Sequence, residues 1–159
     1  MQKPSSSFDV AVVGGGVIGL TIAWRAAQRG LRVVVLERRD PGGGASWVAA
    51  GMLAPVSEAT LLEQAVLHLG LASARSYPGF VDELREVSGI DPGYLPWGML
   101  VVARDRDEAE ALERELELRR RLGLSVNRLR GSEARALVPA LAPAVRLALE
   151  VAGDHAVDP

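Results

Sequence analysis

A chain of 159 residues with 48% hydrophobic content has enough apolar material for one ordinary domain or two small lobes. Its net charge is −2, and all but one of its 18 basic residues are scattered arginines, so nothing in the charge points to nucleic acid or an anionic membrane. The absence of cysteine excludes disulfides, thiolate metal sites and cysteinyl cofactor links within these residues, and makes a reducing cytoplasm the default expectation.

The first predicted elements lie in FDVAVVGGGVIGLTIAWRAAQRGLRVVVLE, residues 8–37. Val10, Ala11, Val12 and Val13 form a short apolar run, as expected of a strand buried on both faces. A helix is predicted from Val17 to Gln28, stopped by Gly30, and a second strand over residues 31–36. Gly14, Gly16 and Gly19 fit G-x-G-x-x-G, and Glu37 follows Gly19 by 18 residues. Strand, glycine turn, helix, strand and acid together make a dinucleotide-binding fingerprint in its required context. Gly14 allows the tight turn, Gly16 lets a pyrophosphate approach the backbone, and Gly19 lets the helix pack against the strand. The helix start is an anion site. Glu37 can accept both hydroxyls of a ribose and would repel a 2′-phosphate, an argument softened by Arg38 and Arg39. The apolar run near the N-terminus opens on Asp9 and contains three consecutive glycines, which argues against an export signal, and it is too short to span a bilayer.

Next comes DPGGGASWVAAGMLAP, residues 40–55. Gly42, Gly43 and Gly44 form a second glycine turn, Ser46 is a candidate N-cap, and residues 47–53 are predicted as a short helix stopped before Pro55. Such a helix start would add a second anion cradle. Ala49, Ala50 and Gly51 are small enough for a flat ring to lie against the backbone.

Residues 57–88 are predicted helical, with Ser57 as cap and Leu61, Leu62, Ala65, Val66 and Leu69 on one face; Tyr77-Pro78-Gly79 is predicted to break the helix and Gly89 to end it. DPGYLP, residues 91–96, is turn-rich and marks the expected domain boundary. Beyond it a strand is expected at residues 99–103. A helix follows, capped by Asp105 with Glu108 three residues on and stopped by Gly123. Ala109, Leu112 and Leu116 give its buried face, and its charged residues, Arg119 among them, are expected on a solvated face. A strand at residues 125–129, a short helix from Ser132 and a strand at residues 145–151 complete an α+β lobe, and a further strand of the nucleotide sheet is expected to begin near Asp154. His68 and His155 have no second ligand at metal spacing, Tyr77 and Tyr94 are assigned to packing, and no catalytic set is found.

The runs VVGGGVIGL and LERRDPGGGASWVAAGMLAP resemble the N-terminus of the D-amino-acid-oxidase-like flavoenzymes, and within them the glycine oxidases of thiamine biosynthesis. YPGFVDEL, WGMLVVA and GDHAVDP extend the resemblance loosely over nearly the whole chain. It implies an α/β protein: a Rossmann-like FAD-binding βαβ domain, incomplete here, with part of an α+β substrate domain. Residues 1–90 would be the first part of the FAD-binding domain, residues 91–151 the substrate-domain portion, and residues 152–159 the start of a return to the FAD-binding domain. The implied cofactor is FAD. Gly14, Gly16, Val17 and Ile18 would lie under the pyrophosphate, with Gly19 counted among the cofactor-binding residues, and Glu37 and Arg38 would hold the adenosine ribose and its edge. Ala45 and Ser46 would meet the phosphates or ribityl chain, and Ala50, Gly51 and Met52 would approach the isoalloxazine ring.

The activity implied is oxidation of glycine or another small amino acid by molecular oxygen, giving a 2-oxo acid, ammonia and hydrogen peroxide. The residues that hold the substrate carboxylate are expected beyond Pro159, and the chain is expected to be an N-terminal fragment, inactive alone. A dehydrogenase with another electron acceptor and a non-catalytic FAD-binding module are the alternatives. An NAD enzyme would explain the fingerprint equally well but leaves GGGASWVAAGM unexplained. The exact substrate and the oligomeric state, a homo-oligomer included, stay open.

Overall fold

The computed structural model describes residues 7–60 and 63–158, which pack as two compact units, residues 7–50 and 51–158. The geometric division thus falls at Ala50–Gly51, earlier than the turn-rich stretch at 91–96.

The first unit is the βαβ fingerprint. Strand β1 (Val10–Val13) pairs in parallel with β2 (Val33–Leu36), Val10 opposite Val33 and Val13 opposite Leu36. Between them runs helix α1 (Val17–Gln28). Its C-terminus closes as the sequence predicts: Gly30 takes φ +79°, its N–H donates to Ala27 C=O, and Leu31 N–H reaches Ala26 C=O. Gly19 earns its place through contact, since a Cβ there would lie 2.0 Å from the Gly14 carbonyl oxygen. Asp9 ties the two strand starts together: its carboxylate accepts Arg32 N–H at 2.8 Å and pairs with the Arg32 guanidinium at 2.9 Å. The expectation that β1 is buried on both faces is not met. Ala11 and Val13 are exposed because, among the described residues, this sheet has two strands and α1 as its only helix.

The second unit begins with β3 (Met52–Leu53), followed by α2 (Gln64–Ser88), β4 (Tyr94–Leu95), β5 (Met99–Ala103), α3 (Arg106–Arg121), β6 (Asn127–Arg130), α4 (Gly131–Leu137), β7 (Leu147–Val151) and β8 (His155–Val157). Its strands form two antiparallel three-stranded sheets, ordered β3-β8-β4 and β5-β7-β6. The α+β lobe is present as expected, with α3 capped by the Asp105 carboxylate on Glu108 N–H. Leu112 and Leu116 of α3 pack on Ala103, Leu147 and Leu149 to form the core.

Several expectations fail in this unit, each for a physical reason. Residues 47–53 do not form a helix. Gly51 sits at φ +72°, Met52 and Leu53 pair with Ala156 and His155, and Val157 N–H donates to Gly51 C=O, so strand pairing wins over local helix propensity. β8 therefore joins β3 and β4, not the nucleotide sheet. Helix α2 starts at Gln64, not near Ser57, whose hydroxyl caps nothing; the expected Leu61 and Leu62 lie outside the described residues. It also runs unbroken through Pro78, despite a cost of about 3 kcal/mol for an interior proline. Leu67 and Val81 bury the helix before and after that point, and the Tyr77 ring packs on Phe80 and Tyr94 with centroids 5.7 and 5.6 Å apart. Arg119 is only 3% exposed, on the opposite side of the expectation.

Leu149 is fully buried at the centre of β7. Leu149→Ala is expected to destabilise the protein by about 2–5 kcal/mol, measured by urea unfolding. Glu117→Ala, on the exposed side of α3, is expected to change it by less than about 0.5 kcal/mol.

Candidate functional site

In the first unit, the turn between β1 and α1 is built almost without side chains. Gly14 at φ +105° reverses the chain, and its N–H donates to Leu36 C=O at 2.9 Å. Gly15 is buried, and its N–H donates to Glu37 Oε2 at 2.7 Å. A Cβ on Gly15 would stand 3.1 Å from the Glu37 Cβ, so the acid reaches this amide because glycine is there. The other Glu37 oxygen accepts the N–H groups of Arg38 and Arg39 at 2.8 and 3.0 Å. Donation from Gly15, then from Arg39, holds the Glu37 carboxyl below its ordinary value. The carboxylate at the end of β2 thus fixes the shape of the turn at the end of β1.

The second glycine turn docks on the first. Gly42 N–H donates to Gly15 C=O at 2.8 Å, and the Ser46 hydroxyl accepts Val17 N–H at 2.9 Å. Ser46 was expected to cap a helix of its own; instead it caps α1, because Gly16, the N-cap residue, has no side chain to do so. Residues 41–48 are turns, so the second anion cradle expected from a second helix start does not form. The two turns wall a cavity of about 370 Å³ within this unit, lined by Gly16, residues 37–40 and residues 42–46.

The α1 N-terminus gives the cavity an anion-accepting end, while Glu37 and Asp40 balance Arg38 and Arg39 in its wall. The first turn of α1 contains no acid, and its leading N–H groups have no intrahelical acceptors. Val17 and Ile18 are 62% and 75% exposed there. Arg38 and Arg39 border the cavity beside Glu37. A Cβ on Gly16 would come 3.2 Å from Ser46 Oγ, filling the cradle wall where a phosphate would rest. The residues present therefore fit the phosphate and ribose parts of a dinucleotide. Gly14, Gly16, Val17, Ile18, Gly19, Glu37, Arg38, Ala45 and Ser46 are all in this unit, and Ala50 is its last residue; Gly51 and Met52 belong to the second unit, with Met52 55% exposed on β3.

The sequence did not reveal the roles of Gly15, whose N–H binds Glu37, or of Gly42, whose N–H ties the second turn to Gly15 C=O. The run of three glycines at 14–16 was the available signal for Gly15. In the second unit, Tyr94 Oη lies 2.5 Å from His155 Nδ1, a pairing between β4 and β8 that the sequence separation concealed.

The model of a family described as FAD dependent oxidoreductase (DAO) matches residues 9–159. The chain belongs to that family. FAD is the family's cofactor. The chain is 39% identical over 151 residues to the glycine oxidase of Geobacillus kaustophilus, covering 94% of this chain and 40% of that protein. The crystal structure of that glycine oxidase superimposes with a TM-score of 0.88. A glycine oxidase structure from Bacillus cereus matches with a TM-score of 0.86 at 30% identity, over 95% of this chain and 40% of that one. A putative thiamine biosynthesis oxidoreductase, ThiO, of Rhizobium etli is 40% identical over 103 residues, 64% of this chain and 28% of that protein. The chain thus spans about 40% of the length of the glycine oxidases it matches. No described helix is long and apolar enough to cross a membrane.

Because the fold lowers the Glu37 carboxyl below its ordinary 4.5, the stability that the ionised group contributes is fully present above that value and is lost as pH falls through the lowered one. The Gly15 amide resonance is expected to titrate with a midpoint below that of an ordinary glutamate carboxyl. In Glu37→Gln that titration is expected to vanish.

Proposed function

We propose that the protein carrying this sequence is an FAD-dependent oxidase of glycine or another small amino acid, using molecular oxygen and serving thiamine thiazole synthesis. The observation that carries this reading is the conjunction of the interlocked glycine turns in the first unit with 39% identity to a glycine oxidase over 94% of the chain. Likeness to a ThiO protein supports the thiamine assignment. Residues 1–90 are assigned to the first part of the FAD-binding domain, residues 91–151 to the substrate-domain portion, and residues 152–159 to the return. A cytoplasmic setting, expected from the absence of cysteine, belongs to the same proposal.

FAD, when bound, would supply the redox chemistry, two-electron oxidation of the substrate at the expense of oxygen. The residues of this chain bind and orient it. The α1 N-terminus, with Gly16, Val17 and Ile18, receives the pyrophosphate. Glu37, anchored on Gly15, would offer its one remaining lone-pair site, on Oε2, to a ribose hydroxyl, and a second hydroxyl would take the place of the Arg38 or Arg39 N–H on Oε1, with Arg38 at the adenosine edge. Ser46 exchanges its bond to Val17 N–H for one to the phosphates or ribityl chain, and Ala45 lies beside it. Ala50 and Gly51, with little or no side chain, and the Met52 backbone would approach the isoalloxazine ring. None of these residues is an acid or base placed on the substrate.

Assay of the purified protein carrying this sequence is expected to show hydrogen peroxide release with glycine. A bound flavin spectrum with no turnover of glycine, sarcosine or D-amino acids would contradict the proposal. Gly16→Val is expected to abolish FAD binding and leave the protein colourless. Glu37→Ala is expected to weaken FAD by roughly tenfold or more, the scale of a hydrogen bond to a charged group, as read by flavin titration.

A further inference from the structure

Residues 54–58 of the second unit make a turn whose peptide groups are bound by two distant charged side chains. Asp154, fully buried, accepts Val56 N–H at 3.1 Å and Ser57 N–H at 2.6 Å. Arg119, 3% exposed on α3, donates to Val56 C=O at 3.0 Å and to Ser57 C=O, and to Glu115 at 3.0 Å. One charge takes the donors and the other takes the acceptors of the same two residues. The buried Ser57 hydroxyl has no partner among the described residues, so the turn is held from outside and not by its own side chain.

Burying two ions is a costly way to gain stability, since apolar residues of similar size often serve as well or better. What the ions supply is orientation, because each hydrogen bond fixes a peptide plane. The segment carrying Asp154 continues directly into β8, where His155 pairs with Leu53, Ala156 pairs with Met52, and Val157 N–H donates to Gly51 C=O. Residues 154–157 therefore hold residues 51–53 by backbone pairing and residues 56–57 by the Asp154 carboxylate. A second contact tightens the turn: a Cβ on Gly70 of α2 would lie 2.9 Å from the Pro55 Cβ.

We infer that Asp154 and Arg119 are positioning residues of the flavin ring site, setting the backbone of Gly51 and Met52 through the 54–58 turn. This rests on the proposal that those residues approach the isoalloxazine ring. Neither charged group touches the ring or the substrate; both act through the peptide groups of Val56 and Ser57.

The experiment compares the FAD-loaded protein carrying this sequence with its Asp154→Asn, Arg119→Lys and Glu115→Gln variants, and with Leu149→Ala as a core variant of the same unit. Visible flavin absorption, flavin midpoint potential and amide exchange at Val56 and Ser57 are measured. Asp154→Asn and Arg119→Lys are expected to speed exchange at those amides at least about tenfold and to shift the flavin bands and potential. Glu115→Gln, which removes one outer partner of Arg119, is expected to give a smaller shift in the same direction and keeps the test available where the stronger variants do not fold. Leu149→Ala is expected to lower stability without moving the flavin bands. Faster exchange at Val56 and Ser57 with an unchanged flavin spectrum and potential would overturn the inference and leave the functional proposal intact. Wild-type protein that takes up no FAD would overturn the functional proposal itself, before any variant is compared.

Discussion

The first unit depends on one hydrogen bond, from the buried Gly15 amide to the Glu37 carboxylate. It joins the end of β1 to the end of β2 and turns two parallel strands into a shaped binding surface. Glycine at the donor allows this close approach, since a Cβ there would stand 3.1 Å from the acid's own Cβ. Once that link is made, Gly15 C=O is free to receive Gly42 N–H, and the second glycine turn is drawn over the first. Ser46 then reaches Val17 N–H and caps the helix that Gly16 leaves open. These bonds fall on the consecutive backbone groups of residues 15–17, so the cradle is a connected network and not a set of separate contacts.

The second unit solves a different problem with different means. Its α+β lobe is held by an ordinary apolar core between α3 and β7. The 54–58 turn has no strand partner for Val56 and Ser57, and their polar groups are satisfied by Asp154 and Arg119 instead. An unpaired buried peptide group costs roughly as much as a lost hydrogen bond, which explains why charged residues are found in so buried a place.

Much of the fold was legible because its signals are local. Val17 to Gln28 was bounded by glycines at both ends, and Asp105 with Glu108 announced the start of α3; all these residues lie within a few positions of what they control. The failures share the opposite cause. The helix expected at 47–53 has good local propensity, yet its fate was decided by pairing with Ala156, about a hundred residues away. Arg119 sits in a run of charges that looks solvated, and only a turn sixty residues earlier reveals why it is buried. Pro78 is tolerated because burial and aromatic contacts on both sides hold the helix, and these too are tertiary. In the cradle, the identities of the glycines and of Glu37 were readable, whereas the partner of Ser46 was not, since a hydroxyl can cap whichever helix start is brought to it.

The central claim is that the interlocked turns of the first unit hold FAD. A structure of the protein carrying this sequence, determined with FAD bound, tests it most directly. The expected result places the pyrophosphate at the α1 N-terminus beside Gly16, with the adenosine ribose hydroxyls on the Glu37 carboxylate. A dinucleotide bound away from these residues, with Glu37 and Ser46 in their ligand-free contacts, would contradict it.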